Sequence, residues 1–110
     1  MAFTKVDLGA GATQISWDAI TGAVGGEAVE LKGSKPVAGC VQVISGTAGS
    51  VALQGSNDGT NWATLKDLQG TDIALTALTA LAEFTTSARY VRPLGNGSSS
   101  AAVVRMVVRG

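Results

Sequence analysis

Which reactions a 110-residue chain can run depends first on which side chains it carries, and this one has no histidine. That removes Ser-His-Asp and Cys-His arrangements, and the commonest metal ligand, together. The single cysteine, Cys40, lies in mid-run with no base near it in sequence, whereas a reactive thiol needs an electropositive neighbourhood. It is expected to be a buried, inert thiol. The carboxylates Asp7, Asp18, Glu27, Glu30, Asp58, Asp67, Asp72 and Glu83 are scattered, and no two share the pattern of a glycosidase pair. Asn57, Asp58 and Asn61 could offer oxygens to calcium, but they lack the spacing and glycine placement of a calcium loop. The other reading of that trio is Asx-type turn hydrogen bonding. Gly9-Ala-Gly11 and Gly25-Gly26 carry nothing else of a dinucleotide or P-loop fingerprint. No catalytic, cofactor or metal site is expected, and the chain reads as a non-enzyme.

Two aromatic residues could do something softer than catalysis. Trp62 and Tyr90 on a β-sandwich could form a sugar-stacking platform. With only two tryptophans in the chain, anchoring the core is the favoured role, because large aromatics dominate small cores.

The elements that position these residues are strands. Val51 and Leu53 alternate with Ala52 and Gln54, and Trp62 and Thr64 alternate with Ala63 and Leu65. Between the two runs stand Asn57, Asp58 and Gly59, and Asp-Gly between alternating runs is a strong hairpin signal. Upstream, Ile15 and Trp17 share a phase with Thr13, and Val29 and Leu31 share another. Lys32 to Pro36 turns the chain, and the proline suits the start of a strand where a missing N–H is tolerated. In 37–45, Val37, Gly39, Val41 and Val43 take one face and Cys40, Gln42 and Ile44 the other. With a tight turn at Gly46–Ser50, residues 37–65 are expected to form a three-stranded meander. Asp72–Phe84 is ambiguous, since Leu75, Leu78 and Leu81 recur at helical spacing. The all-β context favours two short strands around Ala77, with one helical turn near Thr76–Ala80. Ala88–Arg92 is a strand ended by Pro93, and 94–100 is a loop. In the last strand Ala102, Val104, Met106 and Val108 face one way, and Val103, Arg105, Val107 and Arg109 the other. Arginine at alternate positions suits a face that meets solvent or a partner.

About eight short strands separated by turn signals predict an all-β antiparallel sandwich or jelly roll. Residues 1–12 form an N-terminal arm or edge strand, and 13–110 the sandwich domain. Eight Lys and Arg balance eight Asp and Glu without a basic cluster, which argues against a nucleic-acid groove. One cysteine excludes a disulfide-stapled domain. The first residues lack the apolar core of a signal peptide, and no apolar run approaches bilayer length. Synthesis in a cytosol, and release by lysis if it leaves, is the expectation. Seventeen alanines and 15 glycines add little buried area each, so the core is expected to be light and the monomer of modest stability, a first hint of an oligomer.

Two resemblances follow from the motifs. Gly55-Ser-Asn-Asp-Gly-Thr-Asn-Trp62, with Ala88-Arg-Tyr-Val-Arg92, resembles the Ser-x-Asp-Gly-x-x-Trp and Ala-Arg-Tyr-(Val/Ile)-Arg pairing of discoidin (coagulation factor 5/8 type C) domains, which are jelly rolls that bind glycans or lipids. Their paired cysteines are missing here, so only the sandwich is carried over. Across nearly the whole chain, Ile15-Ser-Trp17, Glu30-Leu31, Val41-Gln-Val43, Leu53 to Trp62, Arg89-Tyr-Val-Arg-Pro93 and the Val-rich last strand with Arg are similar to small tailed-phage virion proteins. That resemblance implies a capsid decoration or cement protein: a homo-oligomer, with a trimer favoured, bound to the major capsid protein on the virion surface. The alternative it leaves is a carbohydrate-binding module of a tail or fibre. Expected contact elements are Ala2–Ala12, Gly22–Gly26 and Gly95–Ser100.

Overall fold

A computed structural model describes residues 2–32 and 35–109. Residues 33 and 34 of the expected 32–36 turn, and Met1 and Gly110 of the two expected segments, lie outside them. The strands are β1 (Phe3–Gly9), β2 (Ala12–Ile20), β3 (Val29–Glu30), β4 (Val37–Thr47), β5 (Val51–Ser56), β6 (Ala63–Thr64), β7 (Ala74–Leu75), β8 (Leu81–Thr86), β9 (Tyr90–Leu94) and β10 (Ser100–Arg109). They form two antiparallel sheets. Sheet A runs β1-β2-β10-β4-β8, and sheet B runs β3-β9-β5-β6 with β7 also on β5.

Ten strands reduce to a jelly roll. β6 and β7 occupy one slot, the edge of β5 opposite β9, and Leu65 N–H donates to Leu53 O while Ile73 N–H donates to Leu65 O. They are one edge strand opened by the excursion 66–72. β1 is an added edge on β2. What remains is eight strand positions in two four-stranded sheets, the number and layering of a jelly roll.

The alternation seen in the sequence sets the layers. On β10, Ala102, Val104, Met106 and Val108 are buried and Val103, Arg105 and Val107 half-buried. Ile15 and Trp17 on β2, Val41 and Val43 on β4, and Val51 and Leu53 on β5 are buried in the same core. Each step of two residues returns a side chain to the same face, so these phases follow from strand geometry alone. The Trp17 indole N–H donates to Glu27 O at 2.8 Å, which satisfies the one polar atom of the largest core side chain.

The structure corrects three expectations. Residues 37–65 are not a meander: β4 pairs with β10 and β8, and β5 with β9, β6 and β7, so the 48–50 connection crosses from one sheet to the other. Thr76–Ala80 holds a turn instead of a helical one, with Ala80 N–H donating to Ala77 O and Thr79 at φ 66°. The two-strand reading of 72–84 stands, as Ala74–Leu75 and Leu81–Thr86. Nor does Pro93 end its strand, since it lies inside β9 opposite Leu53. The chain is as compact as an ordinary monomer. An accessible surface of 5686 Å² on 11.0 kDa matches the roughly 5,600 Å² of an ordinary folded monomer. Small residues serve the packing here: a Cβ on Gly39 would collide with Phe84 Cζ, so the bare backbone of β4 makes room for a fully buried ring on β8.

Candidate functional site

The two sequence motifs around Trp62 and Arg92 prove to be halves of one structure. Gln54 pairs with Arg92, Gly55 with Val91 and Ser56 with Tyr90. Trp62, at the end of the 57–62 turn, is half-buried on the outer side of sheet B instead of anchoring the core, and the Arg92 guanidinium lies 4.2 Å from its ring centroid. Arg92 Nε also donates to Gln54 Oε1 at 2.9 Å. The expected core role of Trp62 is thus replaced by a surface cation–π stack. Its position explains this: the residue follows a turn and precedes a two-residue strand at the sheet rim, where no second layer covers it. Tyr90 is half-buried too, with the Arg89 guanidinium 5.1 Å from its ring centre.

The Asp58 carboxylate and the Asn57 amide oxygen of the 57–62 turn are engaged within the chain. Asp58 Oδ1 accepts from Thr60 N–H and Asn61 N–H at 2.8 Å and from Ser56 Oγ at 2.9 Å, and Oδ2 accepts from Asn61 Nδ2 at 2.6 Å. The Asn61 N–H, then that of Thr60, with the Asn61 amide and Ser56 hydroxyl behind them, hold this carboxyl well below the usual carboxylate range. Asn57 Oδ1 accepts from Arg89 N–H at 3.2 Å and ties the turn to the 87–89 connection. Of the two readings of this trio, the structure displays the Asx-type turn. Beside it Arg89 Nε donates to Glu30 Oε2 at 2.8 Å, which lowers the Glu30 pKa. On the outer side of sheet B these charged groups are thus paired with one another, beside the half-buried Ala52 and Leu94.

The outer face of sheet A differs. One row crosses all five strands in register: Val6, Gln14, Val107, Cys40 and Glu83. Its neighbour runs Thr4, Ser16, Arg105, Gln42 and Leu81. Ile44 and Val103 extend the apolar part, both half-buried. Arg105 Nε is held by Ser16 Oγ at 3.1 Å. Cys40 is half-buried on this face, not enclosed as expected. Burial first, and then the negative charge of Glu83 in the paired position, push its thiol pKa up. A raised pKa leaves less thiolate, so such a thiol reacts more slowly than a free one.

Exposed apolar side chains concentrate on the same layer. Of the exposed large hydrophobic residues, Val6 and Leu8 lie on β1, Leu81 on β8, Leu78 in the turn before β8, and Leu68 in the 66–72 excursion. Leu68 N–H donates to Glu83 O at 3.2 Å, so that excursion lies along the outer edge of β8. Only Val24, among the described residues of this class, stands elsewhere, in the 21–28 connection. They fall at the two margins of sheet A, on β1 and beside β8, with the mixed polar and apolar rows of β2, β10 and β4 between them. Sequence reasoning singled out the alternating β10 face but missed its neighbours, because which strands adjoin β10 is a matter of topology.

The expected contact elements sort by end. The 22–26 and 95–99 segments are joined to one another, with Gly22 N–H on Ser99 O at 2.9 Å and Gly95 N–H on Val24 O at 3.2 Å. Ser99 is buried, donating to Ala48 O at 2.6 Å, and Asn96 Oδ1 accepts from Ser50 and Ser98 N–H. This end is stitched by its own polar groups. Residues 3–9, as β1, run along the margin of sheet A instead.

Elsewhere, a cleft of about 220 Å³ opens between Lys5, Glu30, Lys32 and Arg109 above Ile15 and Val108. Among the described residues, no group of three or more Cys, Asp or Glu side chains is placed to hold a metal ion. No helix of the structure is long and apolar enough to cross a membrane.

No family model matches the chain, and no curated protein matches it. Among solved structures the sandwich is similar to one reported under "Bacillus endospore appendages form a novel family of disulfide-linked pili", with a TM-score of 0.55 over 98% of this chain and 87% of that one, at 18% identity. At that identity the likeness carries the fold alone. The class it supports is an antiparallel β-sandwich.

Proposed function

We propose that the chain is a non-enzymatic structural protein of a phage particle: a capsid decoration or cement protein that attaches to the major capsid protein as a homo-oligomer and stabilises the head. It would be made in the host cytoplasm and reside on the virion surface. The observation that carries this reading is that five of the six exposed large apolar side chains among the described residues lie on the margins of sheet A or in the segments beside β8, while the arginines on the outer side of sheet B are engaged by Glu30 and Gln54. The fold likeness to a pilus protein agrees with a sandwich used as a building block. The motif resemblance to tailed-phage virion proteins supplies the setting. On a symmetric shell many weak copies of one contact sum to firm attachment, because each bound copy raises the effective concentration of the next contact.

Co-sedimentation with shells lacking the protein tests it. Wild-type chain should pellet with the shells, and Val107→Asp, which puts a charge in the middle of the outer face of sheet A, should weaken attachment by at least about tenfold, since an unpaired charge buried at an interface costs several kcal/mol. Equal attachment of the two would remove the sheet A face from the proposal, and no attachment of either would remove the proposal.

A further inference from the structure

The long edges of sheet A are treated differently. The β8 edge is capped by the 66–72 excursion, through Leu68 N–H on Glu83 O. The β1 edge is uncovered: β1 pairs with β2 alone, and Thr4 to Leu8 are exposed on both faces, Val6 at 43% and Leu8 at 48%. An uncovered strand presents a row of unpaired backbone groups, a template for another strand. Proteins usually blunt such edges with charge, and Lys5 and Asp7 are the charges here.

Their placement does something other than repel. Around Val6 the segment Thr4-Lys5-Val6-Asp7-Leu8 is opposite in charge on its two sides. Laid antiparallel on itself with Val6 at the two-fold axis, it sets Lys5 opposite Asp7 twice on one face. On the other face Val6 meets Val6, and Thr4 meets Leu8. Shifting the centre to Lys5 instead would stack lysine on lysine. Opposite charges across an antiparallel pair are favourable and like charges are not, so the pattern selects one register. Among the described residues Lys5 has no carboxylate within salt-bridge distance, and Asp7 uses Oδ1 for Gly9 N–H at 2.8 Å, with Oδ2 free of any described hydrogen bond. The register shift in β1 comes after Asp7, so Phe3–Asp7 is regular strand.

We infer that β1 is a self-complementary edge: two copies of this chain join through antiparallel β1–β1 pairing centred on Val6, making one ten-stranded sheet from two copies of sheet A. The inference deepens the reading of the chain as an assembling subunit by naming its self-contact. Backbone hydrogen bonds supply the affinity and the two Lys5–Asp7 pairs the register. The contact is isologous and closes on itself, so it gives a dimer where the phage resemblance implies a trimer. It also makes the outer rows of the two copies continuous through Val6.

Sedimentation of the full chain over a concentration series should show a monomer–dimer equilibrium. Lys5→Asp and Asp7→Lys should each weaken self-association by at least about tenfold, because two attractive pairs become repulsive. Mixed, these two variants should associate with each other, since both charged positions of the first are then acidic and face the two lysines of the second. In a Cys40→Ser background, Val6→Cys should form an intermolecular disulfide on mild oxidation and Leu8→Cys should not, only position 6 lying opposite itself. Circular dichroism confirms that each variant keeps its sheets. A chain that stays monomeric at every concentration overturns the inference, as does a dimer indifferent to both charge reversals or one that crosslinks equally at positions 6 and 8. Attachment of a monomer to shells would leave the proposed function standing without this contact; a dimer that ignores shells would do the reverse.

Discussion

Arg92 lies over the indole of Trp62, its guanidinium carbon 4.2 Å from the ring centroid, and the same guanidinium is steadied by Gln54. A loop residue and a strand residue thirty positions apart are thereby fixed to one another across β5. One ring face that a sugar would stack on is already occupied. Removing either partner should therefore disturb the surface and not the core. Trp62→Ala is expected to cost about 1–2 kcal/mol in denaturant unfolding, well under the roughly 3–5 kcal/mol of a core aromatic. Arg92→Ala should red-shift the Trp62 contribution to fluorescence, taken as the difference from a Trp62→Phe variant. Added mono- and oligosaccharides should leave that spectrum unchanged, and a saturable sugar response would revive the glycan-binding alternative.

Gly39 and Phe84 are coupled by contact. Gly39→Ala should destabilise by about 1–3 kcal/mol, the usual cost of forcing atoms into a filled core. Phe84→Leu alone should also destabilise, by leaving space. Combined, the two should lose less than the sum of the single effects, because the smaller side chain relieves the clash. Additive losses would show that the ring is free to move away.

Asp58 sets an acid limit for the 57–62 turn. Its carboxyl is held below the ordinary range in the fold, chiefly by the Asn61 and Thr60 N–H groups, so the folded state binds its proton less readily than the unfolded chain. Its contribution is complete above the unfolded pKa of about 4 and disappears as pH falls through the folded value. Wild-type stability should thus drop on acidification below about pH 4. Asp58→Asn should be less stable at neutral pH and show a shallower acid limb. Unfolding midpoints measured from about pH 7 down to about pH 2 would show it, and parallel curves for the two proteins would contradict it.

Cys40 should react slowly. With burial and Glu83 raising its pKa, alkylation by iodoacetamide at mildly alkaline pH should run slower than for a free cysteine, and Glu83→Gln should speed it. A fast, Glu83-independent reaction would mean that the sheet A face is more open than its packing indicates.

Much of this architecture is legible in residue order. Two-residue periodicity in Ile15–Trp17, Val41–Val43 and Val104–Val108 tells which side chains are buried, since strand geometry fixes that locally. The Asn57–Gly59 hairpin is equally local. Neighbour relations are not. Val41 and Val43 look across the core toward the layer that holds Val51 and Leu53, and a short connection such as 48–50 serves a hairpin or a sheet-to-sheet crossing alike. Leu75, Leu78 and Leu81 have helical spacing, but Leu75 is buried while Leu78 and Leu81 are exposed on a turn and a strand. Counting alanines and glycines as missing core overlooks Gly39, whose smallness is what lets Phe84 in. For the candidate surface, the alternating face of β10 was readable, and its continuation onto β1, β4 and β8 was not, because register between distant segments leaves no mark in one sequence.

Whether the chain is a building block of the phage head is decided most directly by cryo-electron microscopy of particles from cells that produce it, set against particles from cells in which its gene is deleted. Sandwich-sized density should stand at symmetry-related positions on the head and vanish on deletion, with the outer face of sheet A turned toward the shell. A chain absent from the particle fraction, or density that leaves that face in open solvent, would contradict the proposed role.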